Sequence, residues 1–351
     1  MNFASDNVWG ACPQVMDALQ RCNADAERSY GGDRWTEHAE TLISEVFERE
    51  VETYLVTTGS AANALSLSAI TPPYGAVLCH PASHIMVDEC GAPELLTGGA
   101  KLVPVEGEGG KILSGGVAET VAALDHPPHS VKASSVSLTQ STEIGTLYQP
   151  GEIAALSELA HGHGLKVHMD GARLANAVAA LGLAPAEITW KAGVDVLSFG
   201  FTKNGALAAE AVVFFDPALA EDFIYRRKRA GHLWSKGRFL AAQAVGLLEN
   251  DVWLANARHA NAMAARLADG LKAVPGVRLS SPVEANELFP IIPDALHRRL
   301  QAAGVVYHKW PGEEAGPGEV MIRLVTSFAT TQADVDALVT LAREGAASGA
   351  A

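Results

Sequence analysis

Only four cysteines, Cys12, Cys22, Cys79 and Cys90, occur in 351 residues, and no two form a CxxC pair. That spacing argues against a thiolate metal site. It also argues against a disulfide framework, since a chain of this length builds a core without staples. No apolar run approaches the roughly 20 residues of a membrane span. The opening stretch MNFASDNVWGACPQ has neither a basic n-region nor an apolar h-region, so no secretory leader is expected. The GxGxxG fingerprint of a dinucleotide site is missing after the first strand. Internal repeats are missing too. Positive charge is scarce: 26 Lys and Arg stand against 40 Asp and Glu, a net charge of -14 that disfavours nucleic acid or an anionic membrane as partner. The expectation is a cytoplasmic protein with reduced thiols, no bound metal and a small-molecule ligand.

What the chain does contain is alternation. Apolar strands are expected at Tyr54–Val56, Val77–His80, Lys101–Val105, Ser135–Thr139, Lys166–Met169, Val194–Phe199 and Ala211–Phe215. Helices are expected between them, at Ala61–Ile70, Met86–Thr97, Pro150–His163 and Leu174–Leu181, after two earlier ones at Pro13–Cys22 and Thr36–Glu48. Strands that are almost wholly apolar and separated by helices imply an α/β fold with a mostly parallel (mixed) sheet between helices. Long helices from Phe239 to about Val274 lead into VRLS, ELFPII, a helix at Pro293–Ala303, VVYHKW, EVMIRLV and a last helix at Thr331–Glu344. That second pattern predicts a small α+β domain, with boundaries at 1–250 and 251–351. The terminal GAASGAA is expected to fray.

The chemistry-bearing residues fall at the carboxyl ends of the expected strands, where open α/β sheets bind ligands. VDVLSFGFTKNG delivers one lysine, Lys203, in an apolar setting where an unpaired cation is costly. KVHMDGAR delivers Asp170 from a neighbouring strand. Asp170 alone could simply cap the next helix. Paired with Lys203 it matches the needs of a pyridoxal 5'-phosphate site, in which a lysine holds the aldehyde as an imine and an acid keeps the ring nitrogen protonated. The small residues of Thr57-Thr58-Gly59-Ser60 leave helix N–H groups open to a phosphate. Arg323, inside the apolar EVMIRLV, can take a substrate carboxylate as a fork. Arg173 can serve that carboxylate or the cofactor phosphate. His84, in a PASH turn, can lie over the ring or act as a base. The basic run FIYRRKRAGHLWSKGRF is a solvated face, a phosphate contact or a subunit contact.

The blocks YGGD, TTGSAAN, ASHIMVDECGAPE, HMDGARLANA, SFGFTKNG and IRLVTSF resemble, in order and spacing, the low-specificity L-threonine aldolases. These are pyridoxal-phosphate enzymes of the aspartate-aminotransferase fold. The resemblance runs from about Phe3 to Ala329. It implies cleavage of L-threonine, L-allo-threonine or related β-hydroxy-α-amino acids to glycine and an aldehyde. A β-eliminating lyase or an aminotransferase acting on a small amino acid is the alternative. It further implies Lys203 as the covalent anchor, Asp170 at the ring nitrogen, His84 on the ring, and Thr58, Gly59 and Ser60 at the phosphate. Arg173 and Arg323 would bind the carboxylate, with Ser5 and Tyr30 near the substrate, Tyr30 across a dimer interface. A homotetramer with shared active sites is implied, to which Arg226–Lys236 would bring cations. Many members carry a histidine in the loop that reads TQSTEIGT here. Thr142 stands at about that position, which leaves His84 or a water as base.

Overall fold

In the computed structural model, which describes residues 1–311 and 314–348, the alternation resolves into a seven-stranded sheet. Its strands are β1 (Glu52–Val56), β2 (Gly75–Cys79), β3 (Lys101–Pro104), β6 (Lys132–Thr139), β7 (Lys166–Gly171), β8 (Val196–Gly200) and β9 (Glu210–Phe214), with a short hairpin of β4 (Gly107–Glu108) and β5 (Lys111–Ile112) beside it. The order across the sheet is β1-β9-β8-β7-β6-β2-β3. Only β9 runs antiparallel to its neighbours. The carboxyl ends of the other six strands therefore share one edge, and β9 begins at that same edge. Every residue of β2, β8 and β9 is buried. This is why those strands read as continuous apolar runs rather than as an alternating pattern. Register fixes the levels: Thr139 stands opposite Asp170, and Asp170 opposite Ser198.

One expected helix is broken, at residues with left-handed backbone. The stretch expected to be helical from Met86 to Thr97 is two short helices, His84–Val87 and Ala92–Thr97. Cys90 (φ 52) and Gly91 (φ 74) turn the chain between them. The break sends the Glu89 carboxylate into the interior, where an unbroken helix would have continued over it. The long helices expected from Phe239 to about Val274 are Arg238–Leu248 and Val252–Lys272, parted at Asn250 and Asp251. The hairpin after β3 and the helix Ser114–Ala123 carry little periodic signal, and the helix opens on Ser-Gly-Gly, a weak helix former.

A second sheet of β10 (Arg278–Leu279), β11 (Glu287–Leu288), β12 (Pro290–Pro293), β13 (His308–Lys309) and β14 (Glu319–Val325) has its own apolar core. The last helix runs from Gln332 to Ser348, into the segment expected to fray; the final three residues lie outside the described ones. The N-terminal segment crosses to this second core. The Phe3 N–H donates to the Val306 carbonyl at 2.8 Å, the Val325 N–H donates to the Phe3 carbonyl at 2.9 Å, and the Phe3 ring is fully buried. No helix among the described residues is long and apolar enough to cross a membrane.

The tightest packing at the site end of the sheet lies at Gly200, where a Cβ would come within 2.6 Å of the Ala172 carbonyl oxygen. Gly200→Ala is expected to cost about 1–3 kcal/mol in denaturant unfolding, the usual penalty of overpacking. Gly151→Ala, at an exposed helical glycine with nothing within 4 Å, is expected to be neutral or slightly stabilising.

Candidate active site

A cavity of about 380 Å³ opens at the carboxyl edge of the sheet. Lys203 enters it on a single 3-10 turn, Thr202–Asn204, directly after β8. That turn is held on several sides. The Asn204 side chain donates to the Trp253 carbonyl at 2.8 Å, Asn256 donates to the Asn204 carbonyl at 2.8 Å, and Glu210 accepts the Phe201 N–H at 2.8 Å. Gly205 closes the turn at φ 115, a conformation that glycine adopts without strain.

Asp170 sits at the floor of the cavity and is only 4% exposed. Its Oδ1 accepts the Ala172 N–H at 3.0 Å and its Oδ2 accepts from Asn63 at 2.8 Å. Asn63 also donates to Glu89 Oε1 at 2.9 Å, and the same oxygen lies 2.8 Å from His84 Nδ1. His84, Glu89, Asn63 and Asp170 thus form one chain of hydrogen bonds. The bond to Glu89 raises the His84 pKa in spite of partial burial. Burial raises Glu89 in turn. Behind Asp170, His168 is wholly buried between Ser137 and Ser198, at 2.9 Å from each. Burial pushes its pKa down to about 4, which keeps it neutral.

Opposite the lysine, the helix Gly59–Ile70 points its N-terminus at the cavity. Thr58 caps it, its Oγ1 accepting the Ala61 N–H at 3.2 Å, so the amides of Gly59 and Ser60 precede the first capped one. A Cβ on Gly59 would meet nothing within 4 Å, which leaves the backbone approachable. Both Thr57 N–H and Thr57 Oγ1 lie against His232 Nδ1, at 3.4 and 3.1 Å, tying the basic segment to this turn. The donor set fits pyridoxal 5'-phosphate: one amine, one acid at the floor, and bare helix amides for an anion. Asn63 Oδ1 and Ser141 Oγ are buried beside the cavity without a protein partner, as expected of polar atoms aimed at a ligand.

Arg173 borders the cavity, but its fork is already engaged. Nε and Nη2 donate to the two Asp6 oxygens at 2.8 and 3.1 Å, and Nη1 lies 3.1 Å from Glu287. Against the cost of burial, these two acids hold Arg173 firmly charged. Burial would raise the Asp6 carboxyl, but Arg173 and Lys203 hold it below the usual range. Arg323 differs. It stacks on Trp310, 4.7 Å from the ring centre, and donates to the Ala4 carbonyl at 3.3 Å. No carboxylate pairs with it among the described residues, and its Nε is buried without an acceptor.

Of the residues singled out in the sequence, Lys203, Asp170, His84, Thr58, Gly59, Ser60 and Arg173 line one cavity. Four do not. Ser5 lies on the strap beside Asp6, 3.4 Å from its carboxylate. Arg323 lies behind, as described. Tyr30, half exposed and at φ 60, stacks under Lys228 at 4.9 Å and lines a separate surface hollow with Glu40 and Arg227. Thr142 is fully buried and turned away, its hydroxyl 2.7 Å from that of Thr146. In that loop the side chains on either side, Ser141 and Glu143, face the cavity instead. The reason is the turn that the loop makes here: the Gly145 N–H donates to the Thr142 carbonyl at 2.9 Å, which tucks Thr142 inward and leaves its neighbours on the cavity side. Sequence reasoning also missed Asn63, Glu89, Glu143, Glu210 and Asp6. For Asn63 a signal existed, an amide one turn into a buried helix whose other residues are small or apolar.

The sequence pattern of the beta-eliminating lyase family matches residues 2–294. The chain is 46% identical to a low-specificity L-threonine aldolase of Pseudomonas aeruginosa over 311 residues, covering 89% of this chain and 90% of the relative. It is 47% identical to the corresponding protein of a Pseudomonas species over 287 residues, 82% of this chain and 83% of the relative. A solved structure of threonine aldolase from Leishmania major superposes with a TM-score of 0.92 at 30% identity, over 98% of this chain and 99% of the other.

The Asp6–Arg173 pair is buried on both sides, so removing one partner strands the other. Asp6→Ala is expected to lower stability by about 3–5 kcal/mol, read as a fall in the urea midpoint. Asp6→Asn, which keeps the shape and one acceptor, is expected to cost less.

Proposed function

The chain belongs to the beta-eliminating lyase family, among the low-specificity L-threonine aldolases, and from that membership we propose that it cleaves β-hydroxy-α-amino acids with pyridoxal 5'-phosphate as cofactor. L-threonine and L-allo-threonine would give glycine and acetaldehyde, reversibly. The observation that carries this reading is the meeting of Lys203, Asp170 and the open N-terminus of the helix Gly59–Ile70 in one cavity. When bound, the cofactor supplies a sink for the electron pair released at Cα.

The protein's share is to hold and orient. Lys203 anchors the cofactor, and Asp170, braced by Asn63 and the Ala172 N–H, keeps a proton on its ring nitrogen. Thr58, Gly59 and Ser60 receive the phosphate, and His84 faces the ring. Arg323, with its unsatisfied Nε, receives the substrate carboxylate. Arg173 and Ser5 border the same side, and the ion pairs of Arg173 fix its plane for that role.

We place Tyr30 and the stretch Arg226–Lys236 at a subunit interface of a dimer that pairs into a tetramer. The Tyr30 N–H donates to the Ser235 carbonyl at 3.0 Å, so both segments form one surface. Ile224, Tyr225 and Trp234 leave large apolar areas exposed on it, as an unpaired interface would. The break at Asn250 and Asp251 supports a division into 1–250 and 251–351. Four free thiols fit a reducing cytoplasm.

Purified protein supplied with pyridoxal 5'-phosphate is expected to release glycine and acetaldehyde from L-threonine. Release of pyruvate instead would overturn the reading. Lys203→Ala is expected to lose both turnover and the visible absorbance of the lysine-bound cofactor. Arg323→Ala is expected to raise KM for threonine roughly 10- to 100-fold, the worth of a charged hydrogen bond, and an unchanged KM would remove Arg323 from the carboxylate site.

A further inference from the structure

We propose that Glu143, on the loop that follows β6, is the base that takes the proton from the Cβ hydroxyl of the substrate. This rests on the aldolase reading and names the one group that reading leaves unassigned.

Position comes first. Glu143 lines the cavity together with Lys203, Asp170 and His84. Its Oε1 accepts the His84 N–H at 3.2 Å, which aims the carboxylate. Among the described residues no group donates to Oε2, which leaves that oxygen open toward the cavity. The loop behind it is braced. The Thr142 N–H donates to the Thr146 carbonyl at 3.0 Å, the Gly145 N–H donates to the Thr142 carbonyl at 2.9 Å, and the two threonine hydroxyls meet at 2.7 Å. Thr142 thus serves as a rear strut for its neighbour. A reactive side chain on a loop needs such a strut to keep its aim.

Charge comes second. The recess in the cavity wall raises the Glu143 carboxyl to about 7, with Asp170 and Glu287 adding to the rise and Lys203 and Arg173 opposing it. Its remaining neighbour, His84, meets it through the backbone N–H, while the His84 ring turns its Nδ1 to Glu89. A base that titrates near neutrality is well matched to proton transfer at that pH. His84 is the weaker candidate, because its Nδ1 is committed to Glu89.

The step balances without a co-reactant. Glu143 takes the hydroxyl proton, and the O–H pair becomes the second C–O bond of the aldehyde. The Cα–Cβ pair remains with the glycine fragment, which closes the count by gaining one proton at Cα. No water, oxidant or reductant is consumed.

The test compares two reactions of one holoenzyme. Cleavage of L-threonine needs the base; exchange of a glycine α-hydrogen with deuterated solvent, followed by NMR, needs no β-hydroxyl. Glu143→Gln is expected to lower kcat for cleavage by about 100-fold or more, with KM and glycine exchange each changed by less than about threefold. In the wild type, cleavage should rise with pH through about 7 as the carboxyl deprotonates, and the Gln variant should lose that limb. Cleavage in Glu143→Gln within about threefold of wild type, or glycine exchange lost in parallel with cleavage, would overturn the assignment. Should the Gln variant not accumulate, Glu143→Asp, which withdraws the carboxylate by one methylene, is expected to lose at least about tenfold in kcat, and full activity would overturn the proposal. A wild type that exchanges glycine but releases no aldehyde from any β-hydroxy amino acid brings down the aldolase reading, and this assignment with it.

Discussion

Arg173 is the point at which three distant parts of the chain are held to one another. It follows β7 of the large sheet, Asp6 comes from the N-terminal strap, and Glu287 comes from β11 of the small sheet. Asn286 adds a further bond to Asp6 at 3.0 Å. A buried guanidinium tolerates loss of water only if its donors are met, so each of the three parts is constrained by the other two. The cavity wall nearest the expected carboxylate site is therefore set by electrostatics between elements and only secondarily by apolar packing. Arg323 stands just outside that cluster, felt by Glu287 but not paired with it, which leaves one cation free beside one that is fully engaged.

The floor of the cavity follows a different logic. Asp170 is surrounded by neutral or shared-proton partners: a neutral His168 below, the Asn63 amide beside it, and the His84–Glu89 pair beyond. Among the described residues no cation salt-bridges it. Its negative charge is thereby kept available to whatever positive group enters above it. A carboxylate already paired with arginine could not serve a ring nitrogen in this way. The buried serines that hold His168 explain why Ser137 and Ser198 interrupt otherwise apolar strands.

Much of this was legible in the sequence, for a physical reason. Strands buried on both faces read as apolar runs, their ends are marked, and the residues just past those ends are the site. Lys203, Asp170 and the Thr58–Ser60 turn were found that way, as was the sheet itself. The loop after β6 has no such marker. Its facing pattern depends on a turn closed by Thr142 and Thr146, and a reading one residue off picks Thr142 over Glu143. Glu89 was hidden because MVDECGAPE reads as uninterrupted helix until Cys90 is seen to be left-handed. Asp6 lies 167 residues from Arg173, and no local pattern announces a partner at that distance.

The strap through Phe3 has a bearing on how the molecule is made. Phe3 is translated long before its backbone partners, Val306 and Val325. These contacts close nearly the longest loops the chain allows, and such closures are costly and slow relative to local ones. The sheet that presents Lys203 is complete in sequence by Phe214, while Asp6 must wait for the small sheet. A nascent chain can thus fix the lysine once Trp253 and Asn256 have closed its turn, before the opposite wall exists. Translation and assembly of the cavity are separated in time: Asp6 is synthesised before Lys203, yet it gains its last partner, Asn286, after it.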